Sequence, residues 1–246
     1  MNLIIDIGNT AIKVAITNNN SEILESSTFK ISDFQLTINF IQSQSYRKAI
    51  ISSVGPHFET QEIIKGVKNL IVFDKLTELP FTILYATPHS LGKDRIANAA
   101  GAFSRFPNQN TLVIDAGTCL KFDFINDKAE YLGGSISPGL TMRLKALHTF
   151  TANLPLLENY TANQPLIGND TSSSMLVGSI NGMKNEIIRT IEEYQKEFSN
   201  LNIILTGGEA HFFENVVISE KNSIFADSFL TLKGLNTILN YNAKNN

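Results

Sequence analysis

Two short stretches, 115 − 6 = 109 residues apart, constrain this chain more than anything else in its 246 residues. In the first, Leu3-Ile4-Ile5 runs into Asp6-Ile7-Gly8-Asn9-Thr10 and resumes as Ala11-Ile12-Lys13-Val14-Ala15-Ile16. In the second, Thr111-Leu112-Val113-Ile114 runs into Asp115-Ala116-Gly117-Thr118, with Cys119, Leu120, Phe122, Phe124 and Ile125 beyond it. Apolar, β-branched runs on both sides of a glycine turn predict β-hairpins. One hairpin repeated about a domain length apart predicts two similar lobes around a central cleft.

Glycine lets backbone come close to a ligand and turn its N–H groups toward phosphate oxygens. Asn and Thr add short donors. An Asp at a strand end can hold Mg²⁺ through water, because that ion prefers oxygen ligands and keeps part of its hydration shell. Phosphoryl transfer asks mainly for positioning and charge neutralisation, which such turns supply. The same residue types also close ordinary Asx turns. The repetition at two strand ends favours the phosphate reading.

The rest of the chain reads as alternating strands and helices, an α/β arrangement of mixed sheets with flanking helices. Ile23 to Phe29, Ala49 to Val54 (ending at Gly55-Pro56) and Leu70 to Phe73 are strands, and Asn18-Asn19-Asn20 is a turn. Phe34 to Ile41 and Phe58 to Val67 are helices, and Leu79 to Pro88 is irregular. A helix follows Gly92, with Ile96, Ala99, Ala100 and Phe103 on one face. Pro107-Asn108-Gln109-Asn110 marks the boundary between lobes 1–108 and 109–246. Beyond the second hairpin come a short strand near Tyr131, a glycine-rich turn from Gly133 to Gly139, and a helix from Leu140 to about His148. The longest helix begins near Thr171, with Thr171 as its N-cap, and carries Leu176, Ile180, Met183, Ile187 and Ile191 at helical spacing. Asn202 to Thr206 is a strand, Gly207-Gly208 opens a short helix, and Asn242 to Asn246 frays.

A net charge of −3 excludes a broad nucleic-acid surface. One cysteine excludes an internal disulfide and a cysteine zinc site, and four scattered histidines show no ligand spacing. No apolar run reaches the ~18 residues that span a bilayer. The amino terminus has no basic region and Asp6 interrupts its apolar run, so we read no signal peptide and expect a cytoplasmic protein. Without Gly-x₄-Gly-Lys-Ser/Thr, the chain is not a P-loop kinase.

Asp6 through Thr10 with Lys13, and Asp115 through Thr118, resemble the two phosphate motifs of the actin-like ATPase and sugar-kinase superfamily, whose lobes are ribonuclease-H-like. Leu91-Gly92-Lys93-Asp94-Arg95, Gly133-Gly134-Ser135-Ile136-Ser137-Pro138-Gly139 and Leu205-Thr206-Gly207-Gly208 narrow the resemblance to the type III pantothenate kinases. It implies ATP-dependent phosphorylation of pantothenate, the first step toward coenzyme A. Asp6, Ile7, Gly8, Asn9, Thr10, Ala11, Ile12 and Lys13 would hold ATP, with Asp6 holding Mg²⁺ through water. Thr118 would touch ATP, and Asp115 would bind a monovalent cation, K⁺ or NH₄⁺. Asp94 would be the general base; Tyr85, Gly92, Lys93, Asp94, Arg95 and Thr171 would bind pantothenate. Gly207-Gly208 would pass close to the adenosine. Homodimers are also implied, with a neighbouring subunit completing the pantothenate pocket. After Asp115-x-Gly-Thr the family shows a small residue and then a threonine two places on; this chain has Cys119 and Lys121. Two alternatives stay open: a sugar or acetate kinase on the same fold, and a nucleotide-binding accessory factor without catalysis.

Overall fold

The computed structural model describes residues 1–18, 20–54, 58–213 and 224–243. The expected turn residue Asn19, the strand end at Gly55-Pro56 and residues 244–246 lie outside them. The chain divides into two compact units. One comprises Met1–Pro107, Lys128–Tyr131 and Phe229–Asn246, the other Asn108–Asp127 and Leu132–Ser228.

The first unit carries β1 (Asn2–Ile7), β2 (Ala11–Thr17), β3 (Ile23–Lys30), β4 (Lys48–Ser53) and β5 (Leu70–Val72), with α1 (Phe34–Gln42) and α2 (Phe58–Lys65). Its sheet order is β3-β2-β1-β4-β5. β1 runs antiparallel to β2 and parallel to β4. Strand residues alternate sides, so Leu3, Ile5 and Ile7 join Ile12, Val14, Ile41, Ile51 and Ile63 in one buried cluster. Asn2, Ile4 and Asp6 point to the opposite face. The same unit holds β6 (Thr82–Ile83) and α3 (Lys93–Arg105).

The second unit repeats the plan with β7 (Thr111–Ala116), β8 (Cys119–Ile125), β9 (Glu130–Pro138, its first two residues in the first unit), α4 (Leu140–Thr149), α5 (Thr171–Glu197), β10 (Asn202–Thr206) and β11 (Ile224–Ala226). The strand order β11-β10-β7-β8-β9, counted from its own first strand, is that of the first sheet. β7 is antiparallel to β8 and parallel to β10. Leu112, Ile114 and Ala116 face a cluster with Phe122, Leu144, Ile180 and Ile187. Asp115 therefore points away from its cluster, as Asp6 does from its own. The stretch expected as a glycine-rich turn is strand: β9 runs unbroken to Pro138. Its glycines serve close approach, since a Cβ on Gly134 would lie 1.8 Å from the Phe122 carbonyl oxygen of β8. β6 pairs in parallel with Glu130 and Tyr131 at the start of β9.

The chain ends in a helix absent from the sequence reading, α6 (Leu230–Asn242), which belongs to the first unit. Its spacing signal was present in Leu232, Leu235, Ile238 and Leu239, all buried. Asn236, fully buried, fixes it to the sheet. Its Oδ1 accepts from Asn2 Nδ2 at 2.7 Å and Thr17 Oγ1 at 2.8 Å, and its Nδ2 donates to Ser21 Oγ at 2.7 Å. Asn242 is not frayed: its Nδ2 donates to the Glu78 carbonyl at 2.9 Å, and the Glu78 N–H returns a bond to its Oδ1 at 3.2 Å.

Candidate active site

In the first unit, β1 ends at Ile7 and the turn closes on itself, the Gly8 N–H donating to the Ala11 carbonyl at 3.0 Å. That amide is thus used internally, as is that of Gly117, which donates to the Cys119 carbonyl at 3.1 Å. Asn9, Thr10 and Thr118 are the exposed positions of the two turns. Asp6 is buried at the strand end, in register with half-buried Lys13 on β2; Ile7 and Ile12 form the next pair, both in the core. Ala11 is half-buried. Among the described residues, no group of three or more His, Cys, Asp or Glu side chains converges to cage a metal. A single buried carboxylate beside an open turn suits Mg²⁺, which binds through one or two carboxylates, water and phosphate oxygens.

The same unit positions Tyr85, Gly92, Lys93, Asp94 and Arg95. Gly92 is the N-cap of α3 in extended conformation, so Lys93 and Asp94 open the first turn, where the helix dipole favours an anion. Asp94 is half-buried, and its Oδ1 accepts the Arg95 N–H at 2.9 Å. A side chain at 92 would meet that carboxylate, since a Cβ there would lie 2.5 Å from Asp94 Oδ1. Arg95 is buried rather than a surface arginine. Its guanidinium lies 5.9 Å from the Tyr85 ring centroid and 6.0 Å from that of Tyr131. Tyr131, which went unremarked as a site residue, is the buried wall of this group, 6.3 Å from the Tyr85 ring.

In the second unit, Asp115 is buried and paired: Lys121 Nζ, one strand across, is 2.8 Å from its Oδ2. Gly207, with φ +99°, brings β10 so close that a Cβ there would lie 2.6 Å from Asp115 Oδ1 and 2.4 Å from the Ala116 carbonyl oxygen. Gly139 seats α4 on the same turn, where a Cβ would lie 2.1 Å from the Gly117 carbonyl oxygen. Lacking a side chain, Gly139 cannot cap α4. Glu209 does so from a distance, its carboxylate accepting the Leu140 N–H at 2.9 Å, the Thr141 N–H at 3.1 Å and the Thr141 hydroxyl at 2.7 Å. Glu209 was missed because its partners lie nearly seventy residues away; its place just after Gly207-Gly208 was the available signal. A further monovalent cation about 4 Å from the Lys121 ammonium would be repelled by roughly 4 kcal/mol at an effective dielectric of about 20, which offsets its attraction to the Asp115 carboxylate. The donor set at Asp115 thus does not fit K⁺ or NH₄⁺.

Thr171, exposed, is the first residue of α5 rather than its cap. Asp170 caps the helix in a reciprocal box, accepting the Ser173 N–H at 2.8 Å while Ser173 Oγ accepts the Asp170 N–H at 3.1 Å. Bonding to the Ser173 backbone, and then to its hydroxyl, holds the Asp170 carboxyl below its ordinary pKa. Thr171 lines a cavity of about 1070 Å³ in this unit, between α4 and α5, with Phe150, Leu154 and Met175.

Two sheets that share one five-strand order, each with an acidic-glycine turn after its first strand, define the fold of the actin-like ATPases and sugar kinases. An inorganic polyphosphate/ATP-glucomannokinase from Arthrobacter sp. strain KM shares the fold at TM-score 0.51 and 14% identity, over 98% of both chains. A Baf family transcriptional activator from Campylobacter jejuni reaches TM-score 0.64 at 21% identity, over 98% of this chain and 99% of its own. The sequence profile of the type III pantothenate kinases matches residues 2–193. A type III pantothenate kinase from Christiangramia forsetii is 47% identical over 245 residues, covering 98% of this chain and 99% of its own. This chain belongs to the type III pantothenate kinase family. Among its described residues no helix is long and apolar enough to cross a membrane.

Proposed function

We infer that this chain transfers the γ-phosphoryl group of ATP to the hydroxyl of pantothenate, giving 4'-phosphopantothenate, the first step toward coenzyme A. Membership of the family over almost the whole length carries this reading. Asp94, at the head of α3, takes the hydroxyl proton as that oxygen attacks the γ-phosphorus; the new P–O bond forms while the bond to the ADP oxygen breaks, and ADP leaves. A base positioned in this way contributes about 10² to 10⁴ in rate. Arg95, braced between Tyr85 and Tyr131, presents a planar fork suited to the pantothenate carboxylate. Tyr85, Gly92, Lys93 and Thr171 complete the pantothenate contacts.

Asn9, Thr10 and Lys13 meet the triphosphate, with Ile7, Gly8, Ala11 and Ile12 shaping the turn. Asp6 would hold Mg²⁺, which when bound would supply charge neutralisation on the phosphates. Thr118 touches the nucleotide, and Gly207-Gly208 passes close to the adenosine, with open space at Gly208. The resemblance assigns a monovalent cation to Asp115, a carboxylate that in this chain already pairs with the Lys121 ammonium. We place the reaction in the cytoplasm, where ATP is available, and keep the lobe boundary at 108, with residues 128–131 and 229–246 returning to the first lobe. The deciding assay measures ADP release with pantothenate against a panel of sugars and acetate. Release driven by a sugar or acetate and not by pantothenate would reject the assignment.

The working form is a homodimer. Phe150, which lines the cavity with Thr171, is 84% exposed, and Leu166 and Ile167, just before the lining residue Gly168, are 88% and 77% exposed, apolar surface that a second copy would cover. Light scattering on the eluted protein is expected to give 2 × 27.2 = 54.4 kDa. Phe150→Asp is expected to shift the mass toward one chain and lower pantothenate turnover; a monomeric unmodified protein with full activity would refute the dimer.

A further inference from the structure

The second hairpin holds a cation of its own. Asp115 and Lys121 face each other across β7 and β8, in the register position that Asp6 and Lys13 occupy across β1 and β2. Lys121 is therefore the second copy of the hairpin lysine, standing where the family pattern has threonine. Its Nζ is 2.8 Å from Asp115 Oδ2, and the two side chains are only 14% and 11% exposed. The other carboxylate oxygen lies against Gly117 and Gly207, where Cβ atoms would come within 3.2 and 2.6 Å. Backbone thus walls Oδ1 while an ammonium engages Oδ2. An alkylammonium carries the charge of K⁺ or NH₄⁺, and tethering supplies it at a high effective concentration without recruitment from solution.

We propose that Lys121 supplies at Asp115 the positive charge that resemblance assigns to a free monovalent cation, so that nucleotide binding and phosphoryl transfer by this chain proceed without K⁺ or NH₄⁺. The proposal rests on the kinase reading above for its catalytic arm alone. Its structural basis, an ion pair beside the Thr118 turn, is independent of which alcohol is phosphorylated.

The test uses the full chain in choline chloride and in KCl at equal ionic strength, with two readouts. One is pantothenate-dependent ADP release; the other is the ADP Kd by titration calorimetry, which needs no turnover. For the unmodified chain both are expected to agree between the two salts within about twofold, far less than the roughly tenfold or larger loss that removing a charged partner produces. Lys121→Thr is expected to create a requirement: ADP binding weakens about tenfold or more in choline and recovers in KCl or NH₄Cl. Crystals soaked in RbCl are expected to show rubidium at Asp115 in Lys121→Thr and none in the unmodified protein. A tenfold weakening of ADP binding by the unmodified chain in choline, or rubidium at its Asp115, overturns the proposal whether or not the variant folds. A folded Lys121→Thr protein indifferent to K⁺ overturns it equally. Absent pantothenate turnover with salt-independent ADP binding would instead sink the kinase reading and leave this inference supported.

Discussion

Asp94→Asn is expected to lower kcat by about 10² to 10⁴ while leaving ATP affinity and melting temperature close to those of the unmodified chain. The substitution separates the structural role of this carboxylate from the base role proposed for it. As the second residue of α3, Asp94 interacts favourably with the helix dipole, worth about 0.3–1 kcal/mol, and accepts the Arg95 N–H at 2.9 Å. An asparagine amide oxygen can accept that same bond, so the turn keeps its geometry and loses only the charge. What asparagine cannot do is take up the proton released when the pantothenate hydroxyl attacks. A loss confined to kcat, with the ADP titration unchanged, identifies the base; an Asp94→Asn protein turning over pantothenate at the unmodified rate would remove the assignment. Gly92 needs care in such experiments, because a larger residue there would displace the Asp94 carboxylate and imitate its loss.

The second large effect concerns the seam between α3 and α6. A Cβ on Gly234 would lie 1.7 Å from the Ala97 carbonyl oxygen and 2.8 Å from the Gly101 nitrogen, and one on Gly101 would lie 2.7 Å from the Leu230 carbonyl oxygen. These neighbours are backbone, so the helices must separate to admit any side chain. Helix propensity alone favours alanine over glycine by about 1 kcal/mol. Overpacking costs about 1–3 kcal/mol or more, and separation would also uncover Leu235, Ile238 and Leu239 and strain the Asn236 bonds. Packing wins, and Gly234→Val, with the added cost of a β-branched side chain, is expected to cost at least about 3 kcal/mol, a fall of about 6–12 °C in Tm. Gly182→Ala is the control, because it is exposed within α5 and its Cβ would find its nearest neighbour 4.0 Å away, at Arg143 Nη1. There propensity acts alone, and a rise of about 2–4 °C is expected. Equal melting temperatures for Gly234→Val and the unmodified protein would show that the seam is looser than its geometry implies.

Local chemistry determined a great deal. The paired hairpins, the helix after Gly92 and the long helix from Thr171 follow from periodicities and turn residues that act over a few positions, and the same short stretches carried the family resemblance. Contacts between distant residues left no such trace. Asn236 joins Asn2 across 234 positions, Glu209 caps a helix 69 residues before it, and β9 absorbs glycines whose role is set by the Phe122 backbone of β8. The cap of α5 fell to Asp170 over Thr171 because only the folded first turn shows which side chain reaches the Ser173 amide. Lys121 was visible from the start as a departure from the family pattern; that its ammonium rests on Asp115 was decided by the antiparallel register of β7 and β8, which alone brings two residues six positions apart into contact.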